Sequence, residues 1–401
     1  MIRLMSLVCF CFFISASVFS SEFQGQSVKN AADIYRKAFE LYQKEGLEEI
    51  DINSGASIED LENYVHRCQP SIDLIYQAVE IEKCDWGILN NYEGLFEYCD
   101  ILMLMRKLFL LAIQDVQLKT EKSMFKTALL RSNKLFQMIH HIGNSNFLGH
   151  LASIVPAYRL IDCTKNILGH MPADGAALQW LEAELKKEND RFRSFTEALE
   201  GEREYLIQVL LRNTQKGSLW LYFGVDPNSM PEVTEEYIQK SIEYNNNFIK
   251  QISKASELPY ERAFNKIKEV QQSVIDETHI IWKDAEKKIL DPNNVQKCYS
   301  VLTSLSCGAL PRFYSLHIQV KTELNALISG VKVYQYYAET GRLPQTLPAN
   351  CPADLFSDKP FIYEAKENSF VLRCQRADNL RDKTYEYEFK LAEKQSEGEA
   401  P

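Results

Sequence analysis

The chain has 401 residues, 45% of them apolar, with 45 Lys and Arg against 55 Asp and Glu and a formal net charge of −10. An acidic protein of this kind is poorly suited to nucleic-acid backbones or anionic lipid surfaces, because like charges repel. At about 150 residues per domain the length allows two or three units.

Met1 to Ser21 holds a single charge, Arg3, then an uncharged run from Leu4 to Phe19, then the small residues Ser20 and Ser21. This pattern predicts a secretory signal peptide over 1–21, and the run is shorter than the roughly 20 residues a membrane span needs. The expected product is exported, to the periplasm or outside the cell, and is not integral to the membrane. Loss of Arg3 leaves 44 basic against 55 acidic residues, a net of −11. Eight cysteines remain: Cys68, Cys84, Cys99, Cys163, Cys298, Cys307, Cys351 and Cys374. An even number in an exported chain permits disulfides. Cys298 with Cys307, and Cys351 with Cys374, each lie within one local unit, and the second pair would tie a loop to a sheet. No CxxC spacing points to zinc or redox chemistry.

The next stretch reads as helix after helix. Ala31, Tyr35, Ala38 and Leu41 form one stripe, and Ser57-Ile58-Glu59-Asp60 offers a capping box for a second helix, broken near Pro70. Leu95 to Val116 is apolar almost all round, which predicts a helix at the centre of a bundle. Helices are expected over 124–139, 147–168 with Pro156 inside, 178–185, 192–211, 233–252 and 260–289, joined by short connections that favour antiparallel neighbours. A sub-boundary is expected near 217–231. No fixed period recurs, which argues against a solenoid.

In the last long helix, Leu316, Val320, Leu324, Leu327, Val331 and Tyr334 fall on one face. It should stop near Thr340, because Gly341 suits a left-handed cap and Pro344 cannot continue the helix. Three strands are expected around Phe361-Ile362-Tyr363, Phe370-Val371-Leu372 and Tyr385-Glu386-Tyr387-Glu388-Phe389, with a hairpin turn at 366–369. Tyr334 and Tyr337 should pack on the sheet, with Tyr336 at its rim. The fold class is therefore mostly α, or α+β. A helical bundle or array over 22–310 leads to a long helix with a small three-stranded antiparallel sheet over 311–392, and a polar, disordered tail over 393–401.

The strings YQYYAETGRLPQTLP and ADLFSDKPFIYE resemble the soluble domain of type II secretion pseudopilins, where a helix ends in a Gly-Arg-Tyr-Pro-like step before the sheet. Leu355 and Asp358 stand where that pattern has Pro and Gly. The resemblance implies a calcium loop after the second strand, for which Asp378 and Asp382 are the available ligands. More widely, NAADIYRKAFELY, Cys84-x-Trp86, MRKLFLLA, ALEGERE and the closing segment resemble, in this order, a group of uncharacterised exported bacterial proteins. That likeness implies a helical exported protein with a pseudopilin-like end and supplies no catalytic residues.

Read directly, the residues show no catalytic signature. His140, His141 and His150 are the nearest approach to a metal cluster, with no His-Glu-x-x-His pair. His140 and His150 are the weak ligand candidates; adjacent histidines diverge by about 100° on a helix. Glu197, Glu200, Glu202 and Glu204 around Arg203 read as a solvated face, with Arg203 pairing a neighbouring helix. No cofactor is expected beyond the calcium that the resemblance implies. The leading expectation is a non-catalytic exported envelope protein that binds another envelope or secreted protein. The alternatives are a hydrolase or metal-dependent enzyme with a site assembled from distant residues, and a calcium-stabilised component of a secretion or filament apparatus.

Overall fold

A computed structural model describes residues 29–46, 57–87, 92–143, 147–214, 234–286, 298–300, 303–304 and 308–392. The expected signal segment 1–21, the expected sub-boundary near 217–231, Cys307 and residues 393–401 lie outside the described residues.

Among the described residues the chain forms eleven helices and three strands. These are α1 (Ala31–Glu45), α2 (Ile58–Arg67), α3 (Gln69–Ala78), α4 (Tyr92–Glu121), α5 (Phe125–Gly143), α6 (Phe147–His170), α7 (Gly175–Arg191), α8 (Phe195–Thr214), α9 (Glu235–Ser256), α10 (Tyr260–Glu286) and α11 (Leu310–Thr340), followed by β1 (Ile362–Ala365), β2 (Ser369–Arg373) and β3 (Glu386–Lys390). The protein is mostly α, with the small antiparallel sheet in the order β1-β2-β3. No described helix is long and apolar enough to cross a membrane.

Local chemistry sets the helix ends. The capping box before α2 forms: Asp60 N–H donates to Ser57 Oγ at 3.1 Å, and Ser57 N–H to Asp60 Oδ2 at 3.1 Å. A second box opens α8, where Ser194 N–H donates to Glu197 Oε2 at 2.7 Å and Glu197 N–H to Ser194 Oγ at 3.1 Å. Asn30 caps α1 and also ties down the segment after α3. Its Oδ1 accepts Asp85 N–H at 2.9 Å, while its amide donates to the Asp85 carbonyl at 2.7 Å. Gly341 ends α11 in the left-handed region at φ 69°, its N–H returning to the Tyr337 carbonyl at 2.8 Å, and Pro344 is buried just beyond.

The long helix α11 departs from the one-sided stripe that its spacing predicts. Every residue from Thr322 to Val331 is buried. The helix is enclosed by α6, α7, α10 and β3. Its polar residues are met from inside the fold: Asn325 donates to the Ala353 carbonyl at 2.9 Å, and Ser329 bonds back to the Asn325 carbonyl at 2.8 Å. The segments 22–310 and 311–392 therefore share one apolar core. Tyr334 packs on the sheet, edge-on to Phe370 with ring centroids 5.4 Å apart.

Two similar turns precede the outer strands of the sheet. Ala353-Asp354-Leu355-Phe356-Ser357-Asp358-Lys359 leads to β1, and Ala377-Asp378-Asn379-Leu380-Arg381-Asp382-Lys383 leads to β3. In each, the first Asp is fully buried and its N–H donates to the Lys carbonyl five residues on, at 2.8 and 2.9 Å. The second Asp is left-handed in both, at φ 56° and 49°. Asp and Asn tolerate this conformation better than other side-chain-bearing residues. The A-D-x-x-x-D-K string, repeated 24 residues apart, is the sequence signal for this twin arrangement.

Gly330 lets the sheet approach α11. A Cβ there would lie 2.5 Å from Cε1 of Phe389, a ring stacked on Phe370 at 4.9 Å and only 1% exposed. Because that ring has nowhere to retreat, Gly330→Ala is expected to destabilise the protein by about 1–3 kcal/mol in urea unfolding. An unchanged midpoint would mean that the sheet does not seat on α11 here.

Candidate functional site

The residues singled out from the sequence do not converge. His140 and His141 point apart as their adjacency requires. His140 Nε2 pairs with Glu188 Oε2 of α7 at 2.6 Å. His141 turns inward, where Arg191 donates to Gln137 Oε1 at 2.7 Å and so orients the Gln137 amide nitrogen to donate to His141 Nε2 at 2.9 Å. Nδ1 must then carry the ring hydrogen, and it faces the Tyr35 hydroxyl at 3.0 Å. His150 instead meets His317 of α11, Nε2 to Nδ1 at 3.1 Å, within a cage that includes Phe192 and Phe195. Among the described residues no group of three or more His, Cys, Asp or Glu side chains could hold a metal ion.

Asp378 and Asp382 sit in different surroundings. Asp378 Oδ1 accepts from the Tyr260 hydroxyl at 2.6 Å, the Ser315 hydroxyl at 2.8 Å and Leu380 N–H at 2.9 Å, and Oδ2 accepts from the Tyr385 hydroxyl at 3.0 Å. These donors surround the Asp378 carboxyl, while the Asp382 side chain is exposed. The buried carboxylate is a structural clamp that joins α10, α11 and the sheet. The Cys351 to Cys374 bridge is not formed, and the seven described cysteines are free thiols, Cys298 included. Cys374 is buried, 1% exposed, and Cys351 is half-buried. Burial raises both thiol pKa values.

The acidic run in α8 also resolves into local pairs. Glu197 caps its own helix, and Glu200 pairs with Arg203 at 2.9 Å. Arg203 thus pairs within α8. Burial pushes the carboxyls of Glu202 and Glu323 up to about 7, the second despite Lys165 at 3.4 Å.

An open groove of about 670 Å³ lies between α3 and α5, both of which pack on α4. One wall carries Asp73, Tyr76, Gln77 and Glu80, and the other carries Thr127, Leu130, Arg131 and Lys134. Each set has the i, i+3, i+4, i+7 spacing of one helical face. Asp115 of α4 is fully buried between the walls. It forms an ion pair with Arg131, lies 3.9 Å from Lys119 and accepts from the Tyr76 hydroxyl at 3.3 Å. The Arg131 guanidinium also lies over the Tyr76 ring, 4.8 Å from its centroid. Burial, with Asp115 beside it, raises the Tyr76 pKa far above its ordinary value, so the phenol stays protonated as a donor. Lys134 and Glu80 pair across the groove at 2.5 Å, and Leu130 is 43% exposed beside them.

The chain matches no family model, no curated protein and no solved structure. Sequence reading missed this groove. The available signal was Asp115, the single acid between Ile101 and Thr120 in a helix apolar nearly all round, since a charge in such a place is rarely buried without a partner.

The buried histidines set a pH dependence. Burial pushes His141 and His150 down to about 4 and holds His317 well below its ordinary value. Arg193 and Lys321 add to the effect at His150, and Glu197 opposes it. The unfolded chain, with ordinary histidines near 6.5, then binds more protons than the fold below that pH, so stability falls as pH drops from about 6.5 towards 4. Glu202 and Glu323 act with the opposite sign, because their raised values favour the protonated fold as pH falls from 7. The stability advantage of the wild type over a His150→Phe/His317→Leu variant should therefore shrink by roughly 2 kcal/mol per histidine between pH 7 and pH 5. Urea titrations at both pH values measure this, and a pH-independent difference would mean that the two histidines titrate in the fold as they do in the unfolded chain.

Proposed function

We propose that this is a non-catalytic exported protein that binds another envelope or secreted protein in the groove between α3 and α5. The observation that carries the reading is the groove itself: two matched helical stripes, an exposed Leu130, and charged groups held in fixed positions by a buried carboxylate. An open trench of this kind suits a helix laid along it, in the manner of helix-in-groove recognition. It is a poor container for a small substrate, since small ligands bury most of their surface in concave sites. The ionisable groups deeper in the fold have protein partners: Asp378 with three hydroxyls, Glu323 with Lys165 and His150 with His317. Export is supported by the signal-like start. Membership of a secretion-related lineage is supported by the pseudopilin-like strings and by Asp358, which takes a left-handed conformation at the place where that pattern has Gly.

A photo-crosslinking residue installed at Leu130 and, as a control, at the more exposed apolar Val155 of α6 tests this in cells that export the full chain. One adduct of defined mass is expected from position 130 and none from 155. Its yield should fall about tenfold when Glu80→Arg reverses the charge of the facing wall. Equal labelling from both positions, or none from 130, would exclude the groove as the binding surface.

A further inference from the structure

We propose that the groove selects its partner through a carboxylate: a helical segment of the partner presents an Asp or Glu to Arg131 and an apolar residue, one turn away, to Leu130. The inference rests on the reading of the groove as a binding site and adds the chemistry of recognition. Arg131 has its Nη1 arm committed to Asp115, and among the described residues no other acceptor takes the remaining arm of the guanidinium. The side chain is still 26% exposed, so that arm is reachable from the groove. A planar guanidinium with two donors on one edge matches a carboxylate with two acceptors. Asp115 and the Tyr76 ring hold the guanidinium in place before any partner arrives, which lowers the entropy lost on binding.

Charge complementarity supplies the second reason. The buried Asp115 faces two cations, Arg131 and Lys119, so one positive charge between the walls is uncompensated. The opposite wall carries Asp73, which has no cationic partner among the described residues and accepts only from the Gln69 amide at 2.7 Å. The groove thus asks for an acid on the α5 side and tolerates a base on the α3 side, in a protein that is acidic overall. A helix with Glu and Lys three or four positions apart carries both charges on one face. In this arrangement Arg131 determines specificity, and Asp115 positions it.

Selection of displayed, helix-biased short peptides on the full-length protein tests the proposal. The best binder is then measured by fluorescence anisotropy, both as selected and with its acid changed to the amide. The expected result is an Asp or Glu three or four positions from an apolar residue. Binding should weaken about tenfold or more both with the amide peptide and with Arg131→Lys, because each removes one half of a paired fork. Arg131→Lys keeps a cation beside Asp115, and circular dichroism checks that the variant folds. Arg131→Gln, which strands the buried Asp115, serves only as a stronger second variant. Peptides that lose binding with Leu130→Asp yet ignore both the amide change and Arg131→Lys would overturn carboxylate recognition and leave the groove as a binding site. Peptides indifferent to Leu130→Asp, or no enrichment at all, would overturn both.

Discussion

The complete burial of the middle of α11 is the constraint on which the rest of the fold depends. A helix buried on every side must find partners inside the protein for each polar side chain it carries, because no water reaches them. Thr322 and Ser329 bond back to their own helix, Asn325 reaches the Ala353 carbonyl, and Glu323 takes Lys165 from α6. These contacts fix where α6, α7 and the sheet must stand. Gly330 then lets Phe389 approach the helix closely enough to close the sheet over it.

The twin Asp turns extend the same logic to the sheet. Asp354 accepts Phe356 N–H, the Ser357 hydroxyl and Gln375 N–H, so it knits its own turn to the end of β2. Asp378 reaches further, to Tyr260 of α10 and Ser315 of α11. One clamp is local and the other spans the fold. Both are buried charges stabilised by hydrogen bonds, which is the condition under which a buried carboxylate is tolerated.

Beneath the groove between α3 and α5, Asp115 uses the same device for a different result. Its partners come from α3, α4 and α5, and one of them, Arg131, still opens onto a groove. Asp378, by contrast, spends its lone pairs on hydroxyls and a backbone N–H within the core. A buried carboxylate whose partners end inside the core is a clamp. A buried carboxylate whose partner ends at a solvent-filled trench holds a side chain ready for a ligand, and this difference underlies the functional proposal.

The sequence by itself determined the features that depend on near neighbours along the chain: the capping box at Ser57 and Asp60, the stop at Gly341, the hairpin at Lys366 to Ser369, and the alternation that makes Tyr387 and Phe389 face inward. Each is a matter of hydrogen bonds or side-chain direction within a few residues, so composition and spacing specify it. The mostly α class with a small antiparallel sheet was legible for the same reason. Only the tertiary structure decided which helices lie side by side. It decided that His150 meets His317, 167 residues away, that Cys351 and Cys374 stay free thiols, and that Tyr76, Asp115 and Arg131 assemble at one groove. The physical reason is that apolar burial is non-directional: periodicity reports which face of a helix is covered, but the choice of what covers it is made by packing in three dimensions.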